Sequence, residues 1–384
     1  MTATVFPAQV TAGRPCLQGT RTRQQVVADL LDTRGRYLRP LGKVRSGNVE
    51  YSIHNAIRSS GSIEVDDPGA IDWHRHRIRL RYLYVCEQGH DHDEALGEFL
   101  PTSPGTDFDQ FGASGAGDLY DKMALLAQEE IAETWTFDKG TTIVAAVTEV
   151  LESVGETRIA APEDGGGELQ NPMVFEPGTT KLQVINGTED RRGLLDAGNF
   201  FSIWVDRDGT WRIDRYIPPD QRGVEHVFES GENNTIFGAE YSHDADDWQV
   251  PNRVILVGKP ETDADGEELP APHAVAENNN PDDPYSIPGR GRVITHTEHD
   301  QDATSVDVLG QIAARRLLEL SAVTSTYQIA HDWLPLDLNA AVRLRVPEHS
   351  IDALCVLQSY TWSWDAASDT GVDLVNATLR EVKQ

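Results

Sequence analysis

Apolar residues recur along this chain at two spacings, and each spacing predicts a different kind of element. In the first hundred residues the period is two. Val49, Tyr51 and Ile53 alternate with polar neighbours, as do Ile63 and Val65, so each run buries one face of a strand and wets the other. From Arg77 to Val85, Ile78, Leu80 and Tyr82 share one face, and Arg77, Arg79 and Arg81 form a basic stripe on the other. Ala28, Leu30 and Leu31 lead into Asp32-Thr33-Arg34-Gly35, followed by Leu38, Leu41 and Val44, the layout of a hairpin with turn residues at its tip.

The middle of the chain changes period. After the Gly/Ser-rich stretch 111–117, read as a turn or boundary, Ile143, Val147, Val150, Leu151 and Val154 recur at helical spacing, and Gly155 lies just beyond as a stop. Residues 161–178, with four glycines and three prolines, read as a loop. A second helix is predicted from Thr180 to Ala197, with Thr179 as its cap and Gly187 and Gly193 as weak points. Phe200 to Val205, the turn Asp206-Arg207-Asp208-Gly209, and Thr210 to Tyr216 form the clearest hairpin, which Pro218 and Pro219 end.

Strands then resume. Asn252 to Gly258 reads as a buried strand, and the acidic, Pro- and Asn-rich segment from Lys259 to Pro288 as an exposed loop. Val308, Leu309, Ile312, Ala313, Leu317 and Leu320 define a helix from about Ser305 to Leu320, with Asp302 and Thr304 as candidate caps. Strands are expected at Thr326 to Ile329, Ala341 to Val346, Leu354 to Trp364 and Val372 to Leu379. The fold class is therefore α+β and β-dominated, and β structure at both ends suggests two related barrels.

Size and composition narrow the picture. A chain of 384 residues exceeds the ~250 at which single cores stop growing, so two or three domains are expected. No run approaches the ~18 apolar residues of a bilayer helix, and the first residues lack the basic start and apolar stretch of a secretory signal. The expectation is no membrane span, and synthesis and retention in a cytosol or in a particle assembled there. Cys16, Cys86 and Cys355 are too scattered for a disulfide framework or zinc site and read as free thiols. A net charge of −29 argues against gripping a phosphate backbone, so no sequence-specific nucleic-acid binding is expected.

Each constellation with chemical promise has a plainer reading. His90, Asp91, His92, Asp93 and Glu94 fill one short segment that could hold a divalent metal, yet an acidic hairpin tip accounts for it. His74 and His76, with Ser59 or Ser60, suggest a hydrolase only weakly, because no Gly-x-Ser-x-Gly elbow occurs. Gly289-Arg290-Gly291 is too short to cradle a phosphate. Among 62 Asp and Glu residues a coincidental glycosidase-like pair is expected. Tyr360, Trp362 and Trp364 share a strand face, with core or subunit contact as the plain use and a glycan platform as the rival. No catalytic, cofactor-binding or metal-ligating residue is assigned, and no cofactor is expected.

Several segments together resemble the tail hub, or minor tail, proteins of siphophages, especially those of high-GC actinobacterial hosts, with a fold like the hub of contractile baseplates. They are Asp32-Thr-Arg-Gly-Arg36 with Gly42 to Asn48; Gly61-Ser-Ile-Glu-Val-Asp-Asp-Pro-Gly69 with Ile71-Asp-Trp73; Leu96-Gly-Glu-Phe-Leu-Pro101; and Leu119-Tyr-Asp-Lys-Met123 with the following helix. The hairpin from Asn199 to Arg212, Asn252 to Gly258, and Ile312-Ala-Ala-Arg-Arg-Leu-Leu318 complete the set. Leu336-Asp337-Leu338-Asn339-Ala340 replaces the family's Gly-Asp turn. The resemblance implies a first β-barrel hub domain at 1–117, an α+β domain at 118–222, and a second barrel from 223–258 and 325–384, with the acidic loop and helix of 259–324 inserted in it or packed on it.

It further implies a non-enzymatic virion protein at the tail tip, assembled in the host cytoplasm. The expected form is a homotrimer that adapts a sixfold tube to a threefold tip around a channel for DNA. Expected partners are the tail tube, distal tail and tape measure proteins and downstream tip or fibre proteins. The competing reading is a secreted carbohydrate-active enzyme, or a glycan-binding β protein, of a salt-adapted microbe.

Overall fold

A computed structural model describes residues 21–86, 91–102, 105–110, 112–188, 191–197, 201–215, 217–230, 237–245, 248–258, 270–301, 306–321, 325–368 and 371–382. The chain divides into two units: residues 1–241 with 328–379, and residues 242–327 with 380–384. Strand predominates over helix, as the alternation predicts.

The first unit is built on one large, mainly antiparallel sheet of fourteen strands. Arg77–Cys86 lies well inside it, paired with Arg21–Leu31 on one side and Asp91–Pro101 on the other. Ile78, Leu80, Tyr82 and Tyr84 are buried together because a pleated strand sends alternate side chains to one face. Arg21–Leu31 turns back through Asp32–Gly35 into Tyr37–Pro40, as predicted. Val44–Ser52 pairs with Ser59–Asp66, which pairs with Gly112–Asp121. The stretch 111–117, expected as a turn, thus lies from Gly112 onward inside a strand. Its glycines serve close approach, since a Cβ at Gly115 would come within 2.9 Å of the Gly105 carbonyl oxygen.

The other edge of Val44–Ser52 pairs with Ile351–Asp365, from Ser52 opposite Ser359 to Ser46 opposite Asp365. The two ends of the chain therefore share one hydrogen-bonded sheet. Among the described residues this sheet is open, ending on Tyr37–Pro40 and Phe237–Ala245, and strand pairing closes no barrel. In the segment Leu336–Ala340, Asn339 takes the left-handed conformation (φ 64°) and the Ala340 N–H donates to the Asp337 carbonyl at 3.0 Å. Asparagine tolerates that conformation better than most side chains.

The segment after Asp121 forms the α+β core. Helix Ile143–Ser153 starts at Thr142, whose side chain accepts from the Ala145 N–H, and buries Ile143, Val147, Val150 and Leu151, as predicted. The single helix expected over 180–197 is instead two short ones, Lys181–Asn186 and Leu194–Ala197. Thr180, not Thr179, caps the first, in a reciprocal capping box with Gln183. It ends at Gly187 (φ 78°), where a Cβ on Gly193 would sit 2.2 Å from the Gly187 nitrogen, so the two backbones touch. The hairpin Phe201–Val205 with Trp211–Arg215 forms as expected, and Ile159–Ala160 extends it. The predicted loop 161–178 contains one short strand, Met173–Phe175, paired with Trp135–Phe137.

In the second unit Arg253–Gly258 is the central strand of a three-stranded sheet, antiparallel to His273–Glu277 and parallel to Thr295–Gln301. Its pairing is local and departs from the grouping of 223–258 with 325–384 that the resemblance implies. His273–Glu277 lies within the segment 259–288 expected as loop and the helical turn Ile287–Arg290 begins at its end, while 259–269 lie outside the described residues. Helix Val306–Ser321 packs Leu309, Ala313 and Leu317 onto Val254, Leu256 and Ala274. Its predicted caps, Asp302 and Thr304, lie outside the described residues.

Candidate functional site

The predicted basic stripe is not a free surface. Arg77 is buried and bridges two carboxylates, Glu98 Oε1 at 3.1 Å and Glu156 Oε1 at 2.7 Å. Arg81 is held by Asp29 at 2.9 Å and Asp93 at 2.5 Å, and Arg79 approaches Glu98 at 3.8 Å. The alternation placed the arginines together, and the adjoining strands supply their counter-charges.

Around Arg77 the large sheet meets the α+β segment through a buried ionic joint. Glu98 comes from the sheet; Lys122, Glu156, Arg158 and Trp211 come from the α+β segment. Lys122 is 0% exposed and pairs with Glu156, which also accepts from the Trp211 indole N–H at 3.0 Å. Arg158 pairs with Glu98 and donates to the Asp208 carbonyl at 3.1 Å. Burial pulls the Lys122 ammonium down from the usual lysine range, against Glu156 and Glu98. Burial also pushes the Glu156 carboxyl up, but Lys122 and Arg77 outweigh it and hold it below the usual range. A carboxyl held ionised this way is no proton donor at neutral pH, so Glu156 does not suit the acid role of a glycosidase pair.

Two glycine turns converge on the joint. A Cβ at Gly35 would meet Arg158 Nη2 at 2.6 Å and Glu98 Oε1 at 2.8 Å, and one at Gly209 would meet Arg158 Nη2 at 2.9 Å. Both glycines have positive φ, 73° and 79°, as tight turns require.

The remaining sequence candidates have separate, local partners. The Ser59 hydroxyl donates to Asp121 at 3.1 Å, and the Asp72 N–H donates to His76 Nδ1 at 3.1 Å. Asp121 also accepts from the N–H groups of Ser59 and Met123, each at 2.8 Å; burial nevertheless raises its pKa to about 6. His92 is buried and stacked on Tyr84 at 4.6 Å, whereas His90 lies outside the described residues. Cys86 is disulfide-bonded and Cys355 is a buried free thiol, so the reading of three free thiols fails at Cys86. Cys16 lies outside the described residues.

Tyr360, Trp362 and Trp364 are all buried. Tyr360 stacks on Tyr51 at 4.4 Å, and Trp362 meets Tyr82 edge-on at 4.8 Å and Trp333 at 6.2 Å. This face is a core seam, and a buried face offers no glycan platform. Exposed apolar groups lie elsewhere: Tyr37 (59% exposed) and Leu38 on the edge strand, and Phe108 (81%) on strand Gly105–Asp109. Sequence reasoning missed the ionic joint. Its one visible sign was Lys122, a rare lysine inside the apolar run Leu119-Tyr-Asp-Lys-Met-Ala-Leu125.

No protein-family model matches the sequence, and no curated protein sequence matches it. Solved structures do match, over almost the whole chain. The tail protein from Neisseria meningitidis MC58 aligns with a TM-score of 0.58 at 13% identity, covering 93% of this chain and 97% of that one. The 43 kDa tail protein of prophage MuSo2 from Shewanella oneidensis aligns at 0.59 and 13%, covering 93% and 98%. A chain of the Francisella PdpA-VgrG complex aligns at 0.53 and 8%, covering 94% of this chain and 59% of that one. The likeness is one of fold, which this chain shares with these two tail proteins.

Proposed function

We propose that this chain is a structural, non-enzymatic subunit of a virus tail: the hub at the distal end of a long tail, assembled as a ring of three. The observation that carries this reading is the end-to-end match to two tail proteins, with nearly all of each chain covered in both directions. The chemistry of the molecule agrees with it. The conspicuous arginines, buried acids and strand-face aromatics are used in ion pairs and in the core.

In this reading residues 1–117 and residues 223–245 with 325–384, whose described strands share one open sheet, supply two tube-like walls, the α+β domain 118–222 lies between them in sequence, and 246–324 is an insertion. Three copies then offer six similar walls to a sixfold tail tube. Pairing of Val44–Ser52 with Ile351–Asp365 ties the two barrel segments within each copy. Partners are the tail tube, distal tail and tape measure proteins and the tip or fibre proteins beyond. The net charge of −29 suits a wall past which DNA slides without sticking.

Native mass spectrometry and electron microscopy of the purified chain test the reading. A trimer forming a ring supports it. A monomer at every concentration, with turnover of a glycan, sinks it.

A further inference from the structure

Strand Arg21–Leu31 is paired along its length with Arg77–Cys86 on one side only. On the other side Asp29, Leu30 and Leu31 pair with Tyr37–Pro40, and the Leu41 N–H reaches the Ala28 carbonyl at 2.8 Å. Among the described residues no strand takes the outer edge of residues 21–27. That edge borders a cleft of about 850 Å³, bounded on its other sides by Lys43, Val44, Trp364 and Gly371.

The cleft is cationic in a chain of net charge −29. Arg21, Arg23, Lys43 and Arg81 line it against one carboxylate, Asp29, which Arg81 already holds at 2.9 Å. Arg21 is buried, donates to the Trp333 carbonyl at 2.7 Å, lies 4.6 Å from the Tyr84 ring centre, and leaves its Nε without a partner. The strand is distorted at the same place. Arg23 has φ 51°, and the register slips between Thr22 and Gln25. This bulge lets the Tyr82 hydroxyl bond to Gln24 and leaves Arg23 exposed beside the cleft. Bulges re-aim side chains, and a non-glycine residue at positive φ persists only where its surroundings impose it.

We infer that an extended acidic segment of a neighbouring tail protein adds as a strand to this open edge and sets its carboxylates against Arg23 and Lys43. Strand addition draws affinity from main-chain hydrogen bonds and specificity from alternate side chains. Residues 1–20 of this chain contain Arg14 and no Asp or Glu, so they do not match the cleft in charge. The inference rests on the assembly reading above, but its test needs no tail.

The probe is a labelled heptapeptide of alternating Glu and Val, titrated into the full chain by fluorescence anisotropy. The expected result is saturable binding, weakened about tenfold in the Arg23→Glu, Lys43→Glu double variant. Binding should be absent for the Lys/Val peptide and lost on N-methylation of alternate peptide amides. No saturation up to about 1 mM overturns the inference. So does equal binding of the N-methylated peptide or displacement by inorganic phosphate, which would make this a small-anion site. A changed oligomeric mass in the double variant would give the cleft to a second copy, and also overturns it. A monomer that binds the peptide would sink the ring and leave the cleft; a ring that ignores the peptide would do the reverse.

Discussion

The first unit is held at two places of opposite character. At the seam between strands from the two ends of the chain, Tyr51, Tyr82, Trp333, Tyr360 and Trp362 meet ring to ring. At the joint between the sheet and the α+β segment, Arg77, Glu98, Lys122, Glu156 and Arg158 meet charge to charge. Aromatic burial is strong and only loosely directional. A buried ionic cluster gains little net energy, because desolvation offsets attraction, but it is badly destabilised when one member is missing. The seam therefore stabilises, and the joint fixes where the α+β segment sits.

Four measurements break or sharpen that contrast. Trp362→Ala should cost about 4–5 kcal/mol in urea denaturation, since it empties the centre of the seam. A loss under about 1 kcal/mol would remove the seam's role. Glu156→Ala should cost about 3–4 kcal/mol by leaving Lys122 buried without its partner, whereas Lys122→Met with Glu156→Gln, which keeps an acceptor for Arg77 and the Trp211 indole, should return to within about 1 kcal/mol of wild type. If that double variant remains as unstable as the single one, the joint contributes energy and not only position.

Two buried groups, each within two residues of one of these regions, answer pH in opposite directions. His331, beside Phe228 at 4.8 Å, is buried, and burial pulls its pKa from 6.5 down to about 4. Its folded value is the lower one, so its contribution is present above pH 6.5 and lost as pH falls through about 4. The loss is at most about 3 kcal/mol, and His331→Phe should abolish it. Asp121, next to Lys122, is shifted from 3.8 up to about 6 by burial. Its contribution is therefore present below pH 3.8 and lost as pH rises through about 6, a term of about 2–3 kcal/mol that Asp121→Asn should flatten. Stability curves of the two variants from pH 4 to 8 should depart from wild type with opposite slopes.

Local pattern made much of this fold legible. Period-two alternation located the strand Arg77–Cys86 and its buried face, and helical spacing located Ile143–Ser153. Where two glycines let the backbone fold against itself, at Gly187 and Gly193, apolar spacing alone overstated the helix. Pairing between Ile351–Asp365 and Val44–Ser52 had no sequence sign, because register between distant strands depends on tertiary packing. The joint stayed hidden for the same reason: its five charges come from four separate stretches, and a lone buried lysine looks like a solvated one until its neighbours are known.

That distant pairing also sets a timetable. Ser52 and Ser359 are partners about 300 residues apart, so at a ribosomal rate of roughly 5–20 residues per second the earlier strand waits about 15–60 s for its mate. During that interval Val44–Ser52 is an unmated template for other nascent chains. Slow translation or crowded expression should favour intermolecular strand exchange, and a chaperone that shields the first hundred residues should raise the yield of correctly assembled protein.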